Sequence, residues 1–158
     1  MEAVEFNRIA RKYTDIVYRA TLSYCKNKSD AEDAVQNTFL KLLKTDTQFE
    51  NDEHIRKWLI RSAINECKNI WKSFWHRNVT SIDELKEEPS VIESDKQELF
   101  SEVMKLPTKY SAVLHLYYYE NYSCKEIAYI LNISESGVQS RLMRARNILK
   151  ENLKEAWL

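Results

Sequence analysis

The stretch Ser123–Arg146, S-C-K-E-I-A-Y-I-L-N-I-S-E-S-G-V-Q-S-R-L-M-R-A-R, divides into two helices around a turn at Asn132-Ile133-Ser134. Ser123 is placed to cap the first helix, and Glu126 completes the capping-box pattern. Ser134 is placed to cap the second. Asn132 falls where the chain must reverse sharply, and Asn tolerates left-handed backbone better than any residue but Gly. Ile127, Ala128, Leu131, Ile133, Val138 and Leu142 are spaced to bury the two helices against each other, with Ala128 allowing a close crossing. The pattern predicts a helix-turn-helix, the form that lays its second helix in the DNA major groove.

At about 100° per residue, Val138, Leu142, Ala145 and Leu149 form the buried stripe of that second helix. The opposite arc holds Ser136, Gln139, Ser140, Met143 and Asn147, with Arg144 and Arg146 at its edges. Gln can pair bidentately with adenine, Ser bonds to base or phosphate, and Met can lie on a thymine methyl. Arg141, Arg144, Arg146 and Lys150 add phosphate-seeking charge. The bland alternative is a solvated face on a plain helical bundle.

The rest of the chain supports helices throughout. Among 158 residues there is one Gly and there are two Pro, too little turn chemistry for anything but an all-α protein. Its 24 basic and 24 acidic groups cancel, so net charge says nothing for DNA. Their distribution says more: 13 basic and 11 acidic in residues 1–76, 2 and 6 in 77–95, 9 and 7 in 96–158. An acidic middle, with Pro89 and weak periodicity, reads as a linker over 78–95 between domains at 1–77 and 96–158. Cys25, Cys67 and Cys124 are odd in number and widely spaced, so no disulfide framework is expected. His54, His76 and His115 lie outside ligand spacing, so no metal site is expected. With no apolar run of the ~18–20 residues a membrane span needs and no signal-peptide pattern, the expected compartment is the cytoplasm.

Helix one is expected from about Val4 to Lys26, with Phe6, Ile9, Tyr13, Ile16, Val17, Ala20 and Tyr24 facing a core. Helix two opens with a Ser29–Glu32 capping box and runs to Lys44. Ala31, Ala34, Val35, Thr38 and Leu42 face inward; Asp33, Gln36, Asn37, Leu40 and Lys44 face outward, with Phe39 and Leu43 at the boundary. An outward Leu in a polar rim suits protein docking, although a lone exposed Leu is common. After the polar loop Thr45–Glu53, a long helix follows from about His54 to His76. Lys57, Arg61, Asn65, Lys68 and Lys72 share an arc of roughly 80° on it, bordered by Trp58 and Trp75. A basic stripe flanked by rings suits single-stranded or partly opened DNA; otherwise it is a solvated face with tryptophans finishing the core. Two more helices, Lys96–Leu106 and Thr108–Glu120, should cover the apolar side of the helix-turn-helix.

Two segments, D-A-E-D-A-V-Q-N-T-F-L-K-L-L-K (Asp30–Lys44) and W-L-I-R-S-A-I-N (Trp58–Asn65), resemble the paired helices of the first domain of bacterial RNA polymerase sigma factors. The stretch from Leu106 to Arg146 resembles their C-terminal domain, and the two-domain layout resembles the extracytoplasmic-function (ECF) group. The resemblance implies that Asp33, Gln36, Phe39 and Leu40 dock on the clamp helices of the largest subunit of core RNA polymerase. It implies that Lys57, Trp58, Arg61, Asn65, Lys68 and Lys72 read the −10 promoter element as single-stranded DNA, with the Thr45–Glu53 loop as pocket for a flipped base. Ser136, Gln139, Ser140, Arg141, Met143 and Arg144 would read the −35 element as duplex. An anti-sigma factor is a further partner the resemblance brings in. The chain departs from the family pattern at Gln139, where Lys or Arg is usual, at Gly137 in place of Thr, and at Asn132 in place of the turn's frequent Gly.

Nothing in the sequence suggests catalysis or a cofactor: it shows no nucleophile–base pairing, phosphate-cradling loop or carboxylate pair. Two other functions fit parts of the chain. A dimeric helix-turn-helix regulator would bind a palindromic operator without polymerase, and an interaction protein would bind polymerase without directing initiation.

Overall fold

The computed structural model describes the backbone of residues 1–77 and 94–156 and the side chains of 1–73 and 99–154. The acidic segment 78–93 and the Trp75 side chain lie outside the described residues. The chain splits into two compact units, Met1–Lys86 and Glu87–Leu158, and all described secondary structure is helical. Among the described residues no helix is long and apolar enough to cross a membrane.

The N-terminal unit packs three helices together, α1 (Ala3–Cys25), α2 (Lys28–Lys44) and α3 (Asp52–Arg77). Ile9, Tyr13, Val17 and Ala20 of α1 are buried, as the spacing predicts. Thr21 joins them because its hydroxyl donates to the Val17 carbonyl at 2.6 Å, so the buried polar group is satisfied. The α1–α2 connection is shorter than expected. Lys26 takes left-handed backbone at φ 59° and donates its N–H to the Leu22 carbonyl at 2.8 Å. Asn27, not Ser29, then caps α2, its side chain accepting from the Asp30 N–H at 2.9 Å. The third helix starts at Asp52 rather than His54, because the Asn51 side chain accepts from the His54 N–H at 2.8 Å.

One expectation is overturned in this core. Cys25 and Cys67, 42 residues apart, are joined as a disulfide with their Cα atoms 5.9 Å apart. The spacing carried no signal for it. The pair forms because the end of α1 crosses the middle of α3, where the small side chains of Ala31 and Ala34 on α2 leave the two sulfurs facing each other in a buried cluster. In the chain-entropy picture, closing such a loop destabilises the unfolded chain by about 4 kcal/mol. Cys124 is free.

The C-terminal unit comprises α4 (Ser94–Lys105), α5 (Thr108–Leu114), a π-helical turn (His115–Tyr119), α6 (Cys124–Leu131) and α7 (Glu135–Ala156). A single helix from Thr108 to Glu120 was expected; instead it widens after Leu114. The wider turn lets the Glu120 N–H reach the His115 carbonyl at 3.2 Å and places the Glu120 carboxylate 3.1 Å from His115 Nε2. Both side chains are buried, so each is the partner the other needs. Tyr119 stacks on the His115 ring, with centroids 5.3 Å apart.

The helix-turn-helix follows its sequence pattern closely. Ser123 and Glu126 form a reciprocal capping box with both bonds at 3.1 Å. Asn132 adopts φ 57°, and the Ser134 hydroxyl accepts from the Gly137 N–H at 3.0 Å to cap α7. Ile127, Leu131, Val138 and Leu142 close the seam.

Lys26 is the costly residue of the first unit: a Cβ-bearing side chain in left-handed backbone, with an ammonium whose pKa burial lowers from 10.5 to about 8. Its folded pKa lies below the unfolded one, so the cost is fully present below pH 8 and fades as pH rises toward 10.5. Lys26→Gly should therefore raise stability at pH 7 by ~0.5–1 kcal/mol through the backbone. It should also remove the wild type's gain in stability between pH 8 and 10.5, as measured by urea unfolding across pH.

Candidate nucleic-acid and protein interfaces

The outer face of α2 is as the sequence suggested. Asp33, Gln36 and Asn37 are exposed beside Leu40, which is 50 % exposed, and Leu43, 41 %. Two uncovered leucines one turn apart are more than the lone exposed residue that needs no explanation. Phe39 differs from expectation. It turns inward, 8 % exposed, and meets Phe6 edge-on with centroids 6.1 Å apart. Its place is to seat α2 on α1, so that Leu40 and Leu43 are held outward. At the start of this helix, burial and then the charge of Asp33 push the Asp30 carboxyl pKa up.

On α3 the buried stripe Leu59, Ala63, Ile64 and Cys67 leaves Lys57, Trp58, Arg61, Asn65 and Lys68 partly accessible and Lys72 exposed. Beyond the first turn the one acid of this basic helix is Glu66, which is turned from the stripe and buried, where it pairs with Lys41 of α2. Lys68 lies over the Tyr24 ring at 5.8 Å, and Tyr24 stacks on Trp71 at 5.3 Å. Trp71 is thus half-buried against α1 and finishes the core edge rather than standing in the stripe. The N-terminal end of α3 is tied to α1 by Asp52, which accepts from Lys12 at 2.8 Å and from Arg8 at 3.2 Å. These two cations, Lys12 first, draw the Asp52 carboxyl pKa down to about 2.

Sequence reasoning missed part of this surface. Phe49 of the loop packs edge-on against both His54 (5.1 Å) and Trp58 (5.6 Å). The Glu50 N–H donates to His54 Nδ1 at 3.1 Å, which holds the loop onto the first turn of α3. An aromatic in an otherwise polar loop was the available signal. Tyr24, assigned to the core by its period, is partly exposed beside Lys68.

On α7, Ser136, Gln139, Ser140, Met143 (57 % exposed) and Arg144 form one open arc, with Arg141 at its margin. The side chains match the donor, acceptor and apolar set that a major groove offers. Arg146, also exposed, rests against two tyrosines. Its Nε donates to the Tyr118 hydroxyl at 2.6 Å, and its guanidinium lies 5.5 Å from the centroids of Tyr117 and Tyr118. The π-helical turn delivers those tyrosines, which is why a straight-helix reading did not show the contact. Beside them an apolar groove of about 560 Å³ runs between α4, α5 and α7, lined by Leu99, Val103, Leu114, Leu149 and Leu153 with Arg146 and Lys150 at its rim. Leu149 therefore lines a groove rather than completing a closed stripe.

Residues 9–77 match the family model described as Sigma-70 region 2, and residues 96–149 match Sigma-70, region 4. The ECF RNA polymerase sigma factor SigM of Bacillus subtilis is 31% identical over 152 residues, covering 91% of this chain and 92% of that protein. The chain is an ECF sigma factor. RNA polymerase sigma factor SigV of the same organism is 30% identical, covering 86% of this chain and 83% of SigV. The fold is also that of the sigma factor RpoE from Bartonella quintana, solved with the anti-sigma factor NepR. The TM-score is 0.76 at 22% identity, over 95% of this chain and 97% of that one.

In this sigma factor the recognition helix depends on its cap. Ser134 supplies an acceptor for the Gly137 N–H, and a Cβ built on Gly137 would lie 3.0 Å from that same hydroxyl oxygen. A larger residue at Gly137, as in the family pattern, would require the Ser134 hydroxyl to shift by a few tenths of an ångström. Ser134→Ala should destabilise the full chain by ~1 kcal/mol in chemical denaturation, with exchange protection lost first in the opening turn of α7.

Proposed function

We propose that this sigma factor binds core RNA polymerase through the outer face of α2 and directs it to promoters by two separate DNA contacts. Asp33, Gln36, Leu40 and Leu43 make the docking face, with Phe39 holding it from beneath. Lys57, Trp58, Arg61, Asn65, Lys68 and Lys72 take the melted −10 strand, with Phe49 and His54 extending the aromatic floor beside Trp58. Ser136, Gln139, Ser140, Arg141, Met143 and Arg144 take the −35 duplex. The domains are residues 1–77 and 96–158 with 78–95 as linker, and the protein works in the cytoplasm as a non-catalytic subunit. All bond making belongs to the polymerase.

The observation that carries this is the placement on one helix, α3, of a fully buried seam and an accessible basic stripe with the rings of Trp58 and Tyr24 beside it. Charge follows the strand's backbone and rings receive its unstacked bases, which a duplex-only regulator would not need. The RpoE chain of the same fold is held by an anti-sigma factor. A comparable partner here would act by covering these faces.

Added to core polymerase with a genomic fragment library, the protein should yield transcripts from a defined set of start sites sharing two upstream elements. Scattered starts, equal to those of core polymerase alone, would contradict the assignment. Asp33→Arg combined with Leu40→Ala should weaken core binding by tenfold or more in a fluorescence titration while unfolding at the wild-type midpoint. Undiminished affinity would remove α2 as the docking face.

A further inference from the structure

Cys25 and Cys67 are not used by the promoter contacts, yet they join the last residue of α1 to the middle of the DNA-facing helix. Their Cα separation of 5.9 Å lies within the range a disulfide requires without backbone movement. Both side chains are buried, and their immediate neighbours Ala31 and Ala34 are too small to come between them. The residues next to them in sequence lie at the stripe. Tyr24 stacks on Trp71, and Lys68 lies over Tyr24. A bond between the two sulfurs thus fastens α1 to α3 directly beneath a part of the surface that takes melted DNA.

We propose that Cys25 and Cys67 are a reversible redox site, a dithiol under reducing conditions and a disulfide under oxidising ones, whose oxidised form locks α1 onto α3. The co-reactant is a small-molecule disulfide such as oxidised glutathione. Burial keeps the thiols inert in the closed fold, so exchange proceeds when the last turn of α1 opens. That turn ends in the left-handed Lys26, a weak point in the helix terminus. The Cys25 thiolate attacks one sulfur of glutathione disulfide, and the first glutathione leaves as a thiolate that takes up a proton. The Cys67 thiolate then attacks the Cys25 sulfur of the mixed disulfide and displaces the second glutathione. The chain loses two protons and two electrons, and one glutathione disulfide becomes two glutathione thiols.

The test uses the full chain equilibrated with mixtures of reduced and oxidised glutathione, quenched, denatured and alkylated. Of the three cysteines, only Cys124 should be labelled at the oxidising end, a Cys25–Cys67 peptide pair should be found by mass spectrometry, and dithiothreitol should restore all three labels. The oxidised chain should unfold at a midpoint higher by at least about 5 °C, and the Cys25→Ala, Cys67→Ala double variant should show no redox-dependent shift. Three labelled thiols at every ratio, a disulfide or glutathione adduct involving Cys124 instead, or an unshifted midpoint would each overturn the proposal. The consequence for transcription rests on the function proposed above. After a heat challenge, the oxidised chain should retain at least twofold more open-complex formation with core polymerase than the reduced chain, and the double variant should show no difference. Equal retention by the two wild-type forms would remove that consequence. Absence of any promoter-dependent opening would count against the proposed function, while labelling and unfolding would still decide the redox site.

Discussion

Leu59, Ala63, Ile64 and Cys67 run fully buried along one side of α3, and their packing against α1 and α2 sets the rotation of that helix. Burial of a Leu or Ile side chain is worth ~1.5–3 kcal/mol, so turning α3 by one position would uncover several such side chains at once. No plausible gain among solvated lysines offsets that loss, since exposed ion pairs contribute ~0–1 kcal/mol. The core therefore decides which way the charges point. Lys57, Arg61, Asn65, Lys68 and Lys72 share the accessible side because the apolar stripe occupies the other. The acid Glu66 falls toward α2, where Lys41 meets it.

The same logic, with a different outcome, governs the recognition helix. Val138, Leu142 and Ala145 hold α7 against α6 and α5, and the Ser134 cap and left-handed Asn132 set where it begins. That fixes Gln139, Ser140, Met143 and Arg144 outward. The π-helical turn also gives Arg146 two tyrosine faces and a hydroxyl to rest against. Besides Arg146 the helix carries Arg141, Arg144, Lys150 and Lys154 as cations, on a chain whose 24 basic and 24 acidic groups cancel. Such a reader is weak by itself, because phosphate charge supplies most of DNA affinity. It suits a subunit whose hold on DNA comes from the polymerase it accompanies.

Much of this was legible in the sequence because it is written in local rules. The capping box at Ser123, the reversal at Asn132, the cap at Ser134 and the inward face of α2 each follow from a few neighbouring residues and a helical period. What was not legible depends on contacts distant in sequence. Cys25 and Cys67 meet only because α1 crosses α3 above two alanines of α2. Phe39 goes inward because Phe6 is there to receive it. The widened turn at His115 is settled by Glu120 returning beneath it, and Arg146 by tyrosines 28 residues away. A helical wheel treats every helix as straight and alone, and these are the places where neither holds.

The central claim is that the two units read DNA in different states, α3 the opened strand and α7 the duplex. It is tested most directly by placing a fluorescent base analogue in the −10 element of a promoter this sigma factor uses, and by following opening and duplex binding separately with holoenzyme carrying Asn65→Ala or Gln139→Ala. We expect Asn65→Ala to cut the opening signal at least tenfold with closed-complex affinity within twofold of wild type, and Gln139→Ala to weaken closed-complex binding while bound complexes still open. Equal losses of binding and opening in both variants would contradict the division of labour.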